Sequence, residues 1–166
     1  MARDDDRRDS LTDLASRGRL ERSLNRRCGR RIGGSIVPSG DTVVLIDVVG
    51  LKAVNRSRGF LAGDDLILKV ARRLVRLSRG VALVGRLGGD EFVAVFRPRH
   101  AAMAERFAAA LLHPSRSPAV RVASTTIRRG DTARRLIARL DAVLQESRDE
   151  PPQSHTRLDD PPPGPE

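Results

Sequence analysis

The chain has 166 residues, of which 39% are hydrophobic, 31% charged and only 2% aromatic, with a formal net charge of +10. That is the size of one domain with short tails, and its apolar content excludes wholesale disorder. The single cysteine, Cys28, excludes an intrachain disulfide, and the longest apolar run, residues 43–51, is broken by Asp47 and is too short to span a bilayer.

The polar start MARDDDRRDS has no apolar stretch of the kind a signal peptide needs, so a soluble, cytoplasmic protein is expected. Residues 1–8 are expected to be disordered, 9–149 to form one folded domain, and the proline-rich 150–166 to form a loose, extended tail. Apolar residues at 11, 14, 20 and 24 predict a first helix over 11–24, interrupted near Gly18. Residues 26–39, with Gly29, Gly33, Gly34 and Pro38, read as a basic loop.

The β-branched run at 42–49 predicts a buried strand. It leads through a turn at Val49, Gly50, Leu51 and Lys52 into a helix that opens at Asp64. That helix carries a stripe of Leu66, Val70, Leu74 and Leu77, with Lys69, Arg72, Arg73 and Arg76 mainly outside it, and Gly80 marks its end. Residues 81–87 and 91–96 read as two strands of a hairpin turning at Gly88-Gly89-Asp90. A helix over 101–112, a strand over 119–127 and a final helix over 131–147, capped by Asp131 or Thr132, complete the chain. This order predicts an α/β sandwich of the α+β kind: one domain with a central, mostly antiparallel sheet flanked by helices.

Nearly all of the positive charge is arginine, spread along the chain. It would attract polyanions, yet it serves equally as solvated helix surface. A nucleic-acid partner is disfavoured, because aromatics for base stacking are scarce and no helix-turn-helix or zinc pattern is present.

The chemistry is expected at three places. Asp47 interrupts an apolar strand, and a charge there needs an ion partner, a metal or an exposed strand end. Asp90 and Glu91 follow the Gly-Gly turn and point to opposite faces of their strand, so at most one faces Asp47 directly. If the hairpin packs beside the first strand, Asp47 and Asp90 meet at one edge of the sheet. Such hard oxygen ligands suit Mg²⁺ bound together with substrate phosphates. The backbone at Gly50 and Leu51, with the Lys52 ammonium, could cradle those phosphates.

Gly88-Gly89-Asp90-Glu91-Phe92 resembles the signature for which GGDEF domains, the diguanylate cyclases, are named. DSLTDLASR, residues 9–17, is similar to that family's D-x-L-T-G-L-x-N-R, and residues 46–64 resemble its D-x-D-x-F-K-x-x-N-D-x-x-G-H-x-x-G-D segment. Arg86 keeps an arginine that often precedes the signature. The three blocks occur in the family's order and spacing across 9–149.

The resemblance implies a palm-like fold of the nucleotide-cyclase and polymerase type. It implies a reaction that joins two GTP into cyclic di-GMP with loss of two pyrophosphates, on a homodimer. It implies that Asp47, the Val48 carbonyl and Asp90 hold Mg²⁺ (or Mn²⁺), and that Glu91 stands by the GTP 3′-hydroxyl. Asn55 and Asp64 would read guanine. Gly50, Leu51 and Lys52 would hold phosphates, with Gly88 and Gly89 letting ribose and phosphates approach. Arg148 falls nearest the lysine that ends the family's last helix and would be a substrate-binding residue. Arg79 matches the arginine of the inhibitory Arg-x-x-Asp, whose Asp is here Ala82.

The departures are as informative. Val49 replaces the second Asp of D-x-D, Leu51 replaces Phe, Arg56 replaces Asp, Phe60 replaces His, and Ser16 replaces Asn. Ser124-Thr125-Thr126 stands where the family reads S-I-G, and Pro151-Pro152 falls where a basic residue is usual. They open a second reading: a degenerate module that binds GTP or a regulatory protein partner without catalysis. With no sensory block before residue 9, input is expected from such a partner, from expression level or from nowhere, and the chain is expected to be mostly monomeric at low concentration.

Overall fold

Ser16 starts the first helix, α1 (Arg17–Cys28), its hydroxyl accepting from the Arg19 N–H at 3.3 Å. The protein is seen here as a computed structural model, which describes residues 8–29, 31–32, 35–113, 117–146 and 155–157. α1 begins six residues later than its apolar spacing predicts. Asp9 Oδ1 accepts from the Thr12 amide at 2.8 Å and hydroxyl at 2.7 Å, a local turn that competes with helix. Ala15 then runs beside a strand, donating to the Val84 carbonyl and accepting from the Arg86 N–H. The helix continues through Gly18 to Cys28, so the expected basic loop is shorter. Within it, β1 (Arg31–Ile32) and β2 (Ser35–Ile36) form a small antiparallel ribbon.

β3 (Thr42–Val48) is the centre of the main sheet. After it comes α2 (Leu51–Arg58), where a plain turn was expected, and Gly59, at φ 83°, separates it from α3 (Phe60–Ser78). α3 therefore starts four residues before Asp64. Its buried line is Ile67, Val70, Ala71 and Leu74, while Leu66 and Leu77 are only partly covered. Arg73, expected to lie mainly outside the stripe, is buried because its guanidinium donates to the carbonyls of Pro118, Ala110 and Leu111.

β4 (Ala82–Gly88) and β5 (Glu91–Phe96) form the predicted hairpin. A 3₁₀ turn (Pro98–His100) leads into α4 (Ala101–Leu111), and β6 (Val120–Thr126) and α5 (Ala133–Glu146) follow. The sheet order is β4-β5-β3-β6-β7, antiparallel as far as β6. β7 (His155–Arg157) lies in the segment expected to be a loose tail, and pairs parallel with β6 at Val122, Ala123 and Ser124. The rest of the expected tail, and residues 1–7, lie outside the described residues.

Alternation along β3 sends Val44, Ile46 and Val48 to one core, with α3 and α4, and Val43 and Leu45 to the other, with α1 and α5. The first core includes an edge-to-face pair of Phe96 and Phe107, with ring centroids 5.2 Å apart. A sheet buried on both faces explains why β3 reads as a continuous apolar run. It also makes Asp47 conspicuous.

Candidate active site

Asp47 stands in the ladder opposite Glu91 of β5 on one side and Arg121 of β6 on the other. Directly opposed residues of antiparallel strands share a face. Glu91, Asp47 and Arg121 therefore form one row across three strands, on the side of α1 and α5. Asp47 is only 8% exposed, so it is no exposed strand end. Its Oδ2 lies 3.8 Å from Arg121 Nη1, an ion pair between two side chains largely removed from water.

Of the two acids after the turn, Glu91 is the one that faces Asp47. Asp90 is joined to the strand through its main chain, its carbonyl accepting from the Val48 N–H at 3.0 Å. The turn is held open by glycine conformation, with φ 145° at Gly88 and 52° at Gly89. Among the described residues a Cβ at either position would meet no atom within 4 Å, so backbone shape and not crowding requires glycine there.

Arg86 fastens this turn. Its Nη2 and Nε donate to the Gly89 carbonyl at 2.8 and 3.1 Å, and its Nη1 reaches Asp9 Oδ1 at 3.4 Å. At Asp9, burial pushes the carboxyl up, but the Thr12 hydroxyl and amide and the Arg86 charge outweigh it and hold the group below its ordinary value. Glu91 shifts the other way. Burial, then the charges of Asp141, Asp90 and Asp47, push its carboxyl above the ordinary glutamate value, and Arg17 only partly opposes them. Glu91 and Asp141 also line a cleft of about 590 Å³ between α1 and α5.

Beyond β3, Gly50 takes φ 85° and caps α2, so Leu51 and Lys52 occupy a helical first turn instead of a loop. Leu51 is half-buried and Lys52 exposed. One turn on, the buried Oδ1 of Asn55 has no hydrogen-bond partner among the described residues. A Cβ at Gly63 would stand 1.8 Å from that oxygen. Glycine at 63 thus lets α3 approach Asn55, and it sets the exposed Asp64 beside it in sequence. Among the described residues no group of three or more His, Cys, Asp or Glu could hold a metal. The donors that remain, two carboxylates and the Val48 carbonyl, fit Mg²⁺ or Mn²⁺ bound jointly with a substrate's phosphates.

The model of the diguanylate cyclase GGDEF domain family matches residues 7–153. The chain belongs to the GGDEF family. It is 36% identical over 110 residues to the bifunctional diguanylate cyclase/cyclic di-GMP phosphodiesterase MucR of Pseudomonas aeruginosa, covering 63% of this chain but only 15% of MucR. Its fold matches the GGDEF domain of Caulobacter crescentus DgcB, solved with c-di-GMP, with TM-score 0.76 and 24% identity over 96% of this chain and 97% of that one. It also matches the diguanylate cyclase SiaD of Pseudomonas aeruginosa, solved with its activator SiaC, with TM-score 0.74 and 24% identity over 90% of this chain and 61% of SiaD.

In this GGDEF domain the three sequence blocks converge: residues 9–17 on the Gly-Gly turn through Asp9 and Arg86, and residues 46–64 on it through Asp47 and Val48. Arg79 is elsewhere. It is exposed, ends α3 at φ 49°, and precedes Ala82, which lies at the far end of β4 from Gly88, roughly 20 Å along a strand of this length. Arg148 lies outside the described residues. Arg121 and Asp141 escaped the sequence reading. Arg121 had no motif around it, and only the register of β6 against β3 brings it to Asp47.

Proposed function

We propose that this GGDEF domain binds GTP with Mg²⁺ (or Mn²⁺) at the Gly-Gly turn and condenses two GTP into cyclic di-GMP, releasing pyrophosphate, when two copies face each other. The observation that carries this reading is the buried Oδ1 of Asn55, which has no partner among the described residues and packs against Gly63. A buried acceptor without a donor is costly. The N1–H and N2–H₂ of guanine are donors of the right kind, and Asp64 supplies a second acceptor. Adenine lacks that donor pair, so GTP is favoured over ATP.

Asp47, Asp90 and the Val48 carbonyl would hold the metal, which when bound supplies charge for the triphosphate and the attacking oxygen. The first-turn amides of Leu51 and the Lys52 ammonium orient the phosphates. Glu91, its carboxyl raised by burial and by neighbouring acids, accepts the proton of the 3′-hydroxyl as that oxygen attacks the α-phosphorus of the second GTP. Catalysis here rests on positioning and on charge stabilisation. A soluble, cytoplasmic setting with a protein activator is consistent with the substrate.

A second reading has its own support. Val49 removes one acid of the D-x-D pattern and Arg121 already neutralises Asp47, which favours a GTP-binding module without turnover. Purified protein incubated with GTP and Mg²⁺, its products resolved by chromatography, separates the two. Cyclic di-GMP is the expected product. GTP that binds but stays intact supports the second reading, and GTP that does not bind at all overturns both. Asp47→Asn should remove metal-dependent GTP binding.

A further inference from the structure

We propose that Arg121 is a built-in counter-ion that occupies Asp47 until a divalent cation displaces it, so that this one residue sets how much metal the site demands. The inference rests on the proposed metal role of Asp47. Three observations support it. Arg121 is the direct ladder partner of Asp47 and so faces it wherever the two strands pair. Both side chains are nearly removed from water, at 12% and 11% exposure, where a charge is weakly screened. And the separation of 3.8 Å is long beside the 2.9 Å of the Arg27–Asp41 pair, which leaves the contact displaceable.

The electrostatics follow from the row. Two acids, Glu91 and Asp47, lie side by side and repel, and the guanidinium at the end of the row offsets part of that repulsion. A divalent cation approaching Asp47 meets a fixed positive charge a few ångströms away. It must separate the guanidinium from the carboxylate before it gains the oxygen. Bare metal gives the displaced guanidinium nothing in return. Metal arriving with a triphosphate brings anionic oxygens that can take the arginine up. The site therefore discriminates between free metal and the metal–nucleotide complex, and binding of the two is coupled.

The test is a titration of the full chain with Mn²⁺ alone, followed by the electron paramagnetic resonance of the free ion. Wild type, Arg121→Leu, Arg121→Lys and Asp47→Asn/Arg121→Leu are compared. Removing the charge should tighten Mn²⁺ binding by about fivefold or more, the scale of one weakly screened like charge. Lysine should keep the weak wild-type affinity, and the double variant should lose the gain. Arg121→Gln, close in size and uncharged, replaces leucine if that variant unfolds. A second titration with GTP present should show a larger GTP-induced gain in Mn²⁺ affinity for wild type than for Arg121→Leu. Equal Mn²⁺ affinity in wild type and the uncharged variants, or a gain that survives loss of Asp47, overturns the proposal. A gain seen with Mn²⁺ alone but no response to GTP upholds the counter-ion and sinks the GTP reading instead.

Discussion

The guanidinium of Arg86 closes on the carbonyl oxygen of Gly89, with Nη2 2.8 Å from it, and reaches Asp9 with its remaining nitrogen. One side chain thus ties the turn that presents Asp90 and Glu91 to a residue some eighty positions earlier. Arg86→Ala should loosen the turn without touching any donor to metal or nucleotide. Losing charge-assisted hydrogen bonds of this kind costs about 1.5–3 kcal/mol. A fall in thermal stability is expected, together with weaker GTP binding by calorimetry. Because Asp9 is held below its ordinary value, the clamp is fully present above about pH 4 and is lost as pH falls through that lowered value. The stability gap between wild type and variant should therefore narrow in acid. A gap that stays constant down to acid pH would show that Asp9 has no part in it.

Gly63→Ala places a methyl group where the Asn55 side chain now is, since the Cβ would fall 1.8 Å from Oδ1. Alanine is otherwise the better helix former. Helix content by circular dichroism should hold or rise while affinity for GTP drops by about tenfold or more, the scale of one lost hydrogen bond to a buried group. Undiminished GTP binding in this variant would remove Asn55 from the site.

Glu91→Gln should make the protein more stable near neutral pH while abolishing turnover. Glu91 is protonated in both folded and unfolded states at low pH, so it costs nothing there. As pH rises through the interval between the ordinary glutamate value of about 4.3 and its raised folded value, the folded state acquires a buried charge among other acids, and stability declines. Glutamine removes that cost. The gain in melting temperature should be larger near pH 7 than near pH 4. Identical melting curves for the two proteins at both pH values would show that Glu91 is not strained by its neighbours.

Cyclic di-GMP should not inhibit through the end of β4. Arg79 is exposed there, and its expected acidic partner is replaced by Ala82. One missing charge-assisted hydrogen bond weakens binding by about tenfold to a hundredfold. Calorimetry with cyclic di-GMP should find no micromolar binding that depends on Arg79. If Arg79→Ala abolishes such binding, the inhibitory contact survives without its acid.

What was legible in the sequence was what rests on periodicity and on contiguous motifs. The β-branched run at 42–49, the Gly-Gly hairpin and the apolar stripe of α3 each announce their element, and the antiparallel α/β sandwich follows from their order. Apolar spacing puts the start of α1 too early, because Asp9 and Thr12 compete with the helix through side-chain bonds that spacing does not register. α2 does not announce itself, because one short helix between two glycines, Gly50 and Gly59, has too little apolar repeat to detect. Arg73 looked like surface, since nothing local reveals the three carbonyls it reaches across the fold. At the candidate site, Asp47, Asn55 and Asp90 can be named from motifs. Arg121 cannot, because only the register of β6 against β3 places it opposite Asp47.

The short parallel strand His155–Arg157 has a further consequence. β6 would otherwise be the outer strand of the sheet, with its backbone N–H and C=O groups turned to solvent along Val122, Ala123 and Ser124. Open rims of this kind recruit strands from other molecules. By laying its own C-terminal segment there, the domain denies that rim to a second copy. A chain shortened before residue 155 is expected to self-associate through β6 while its core remains folded.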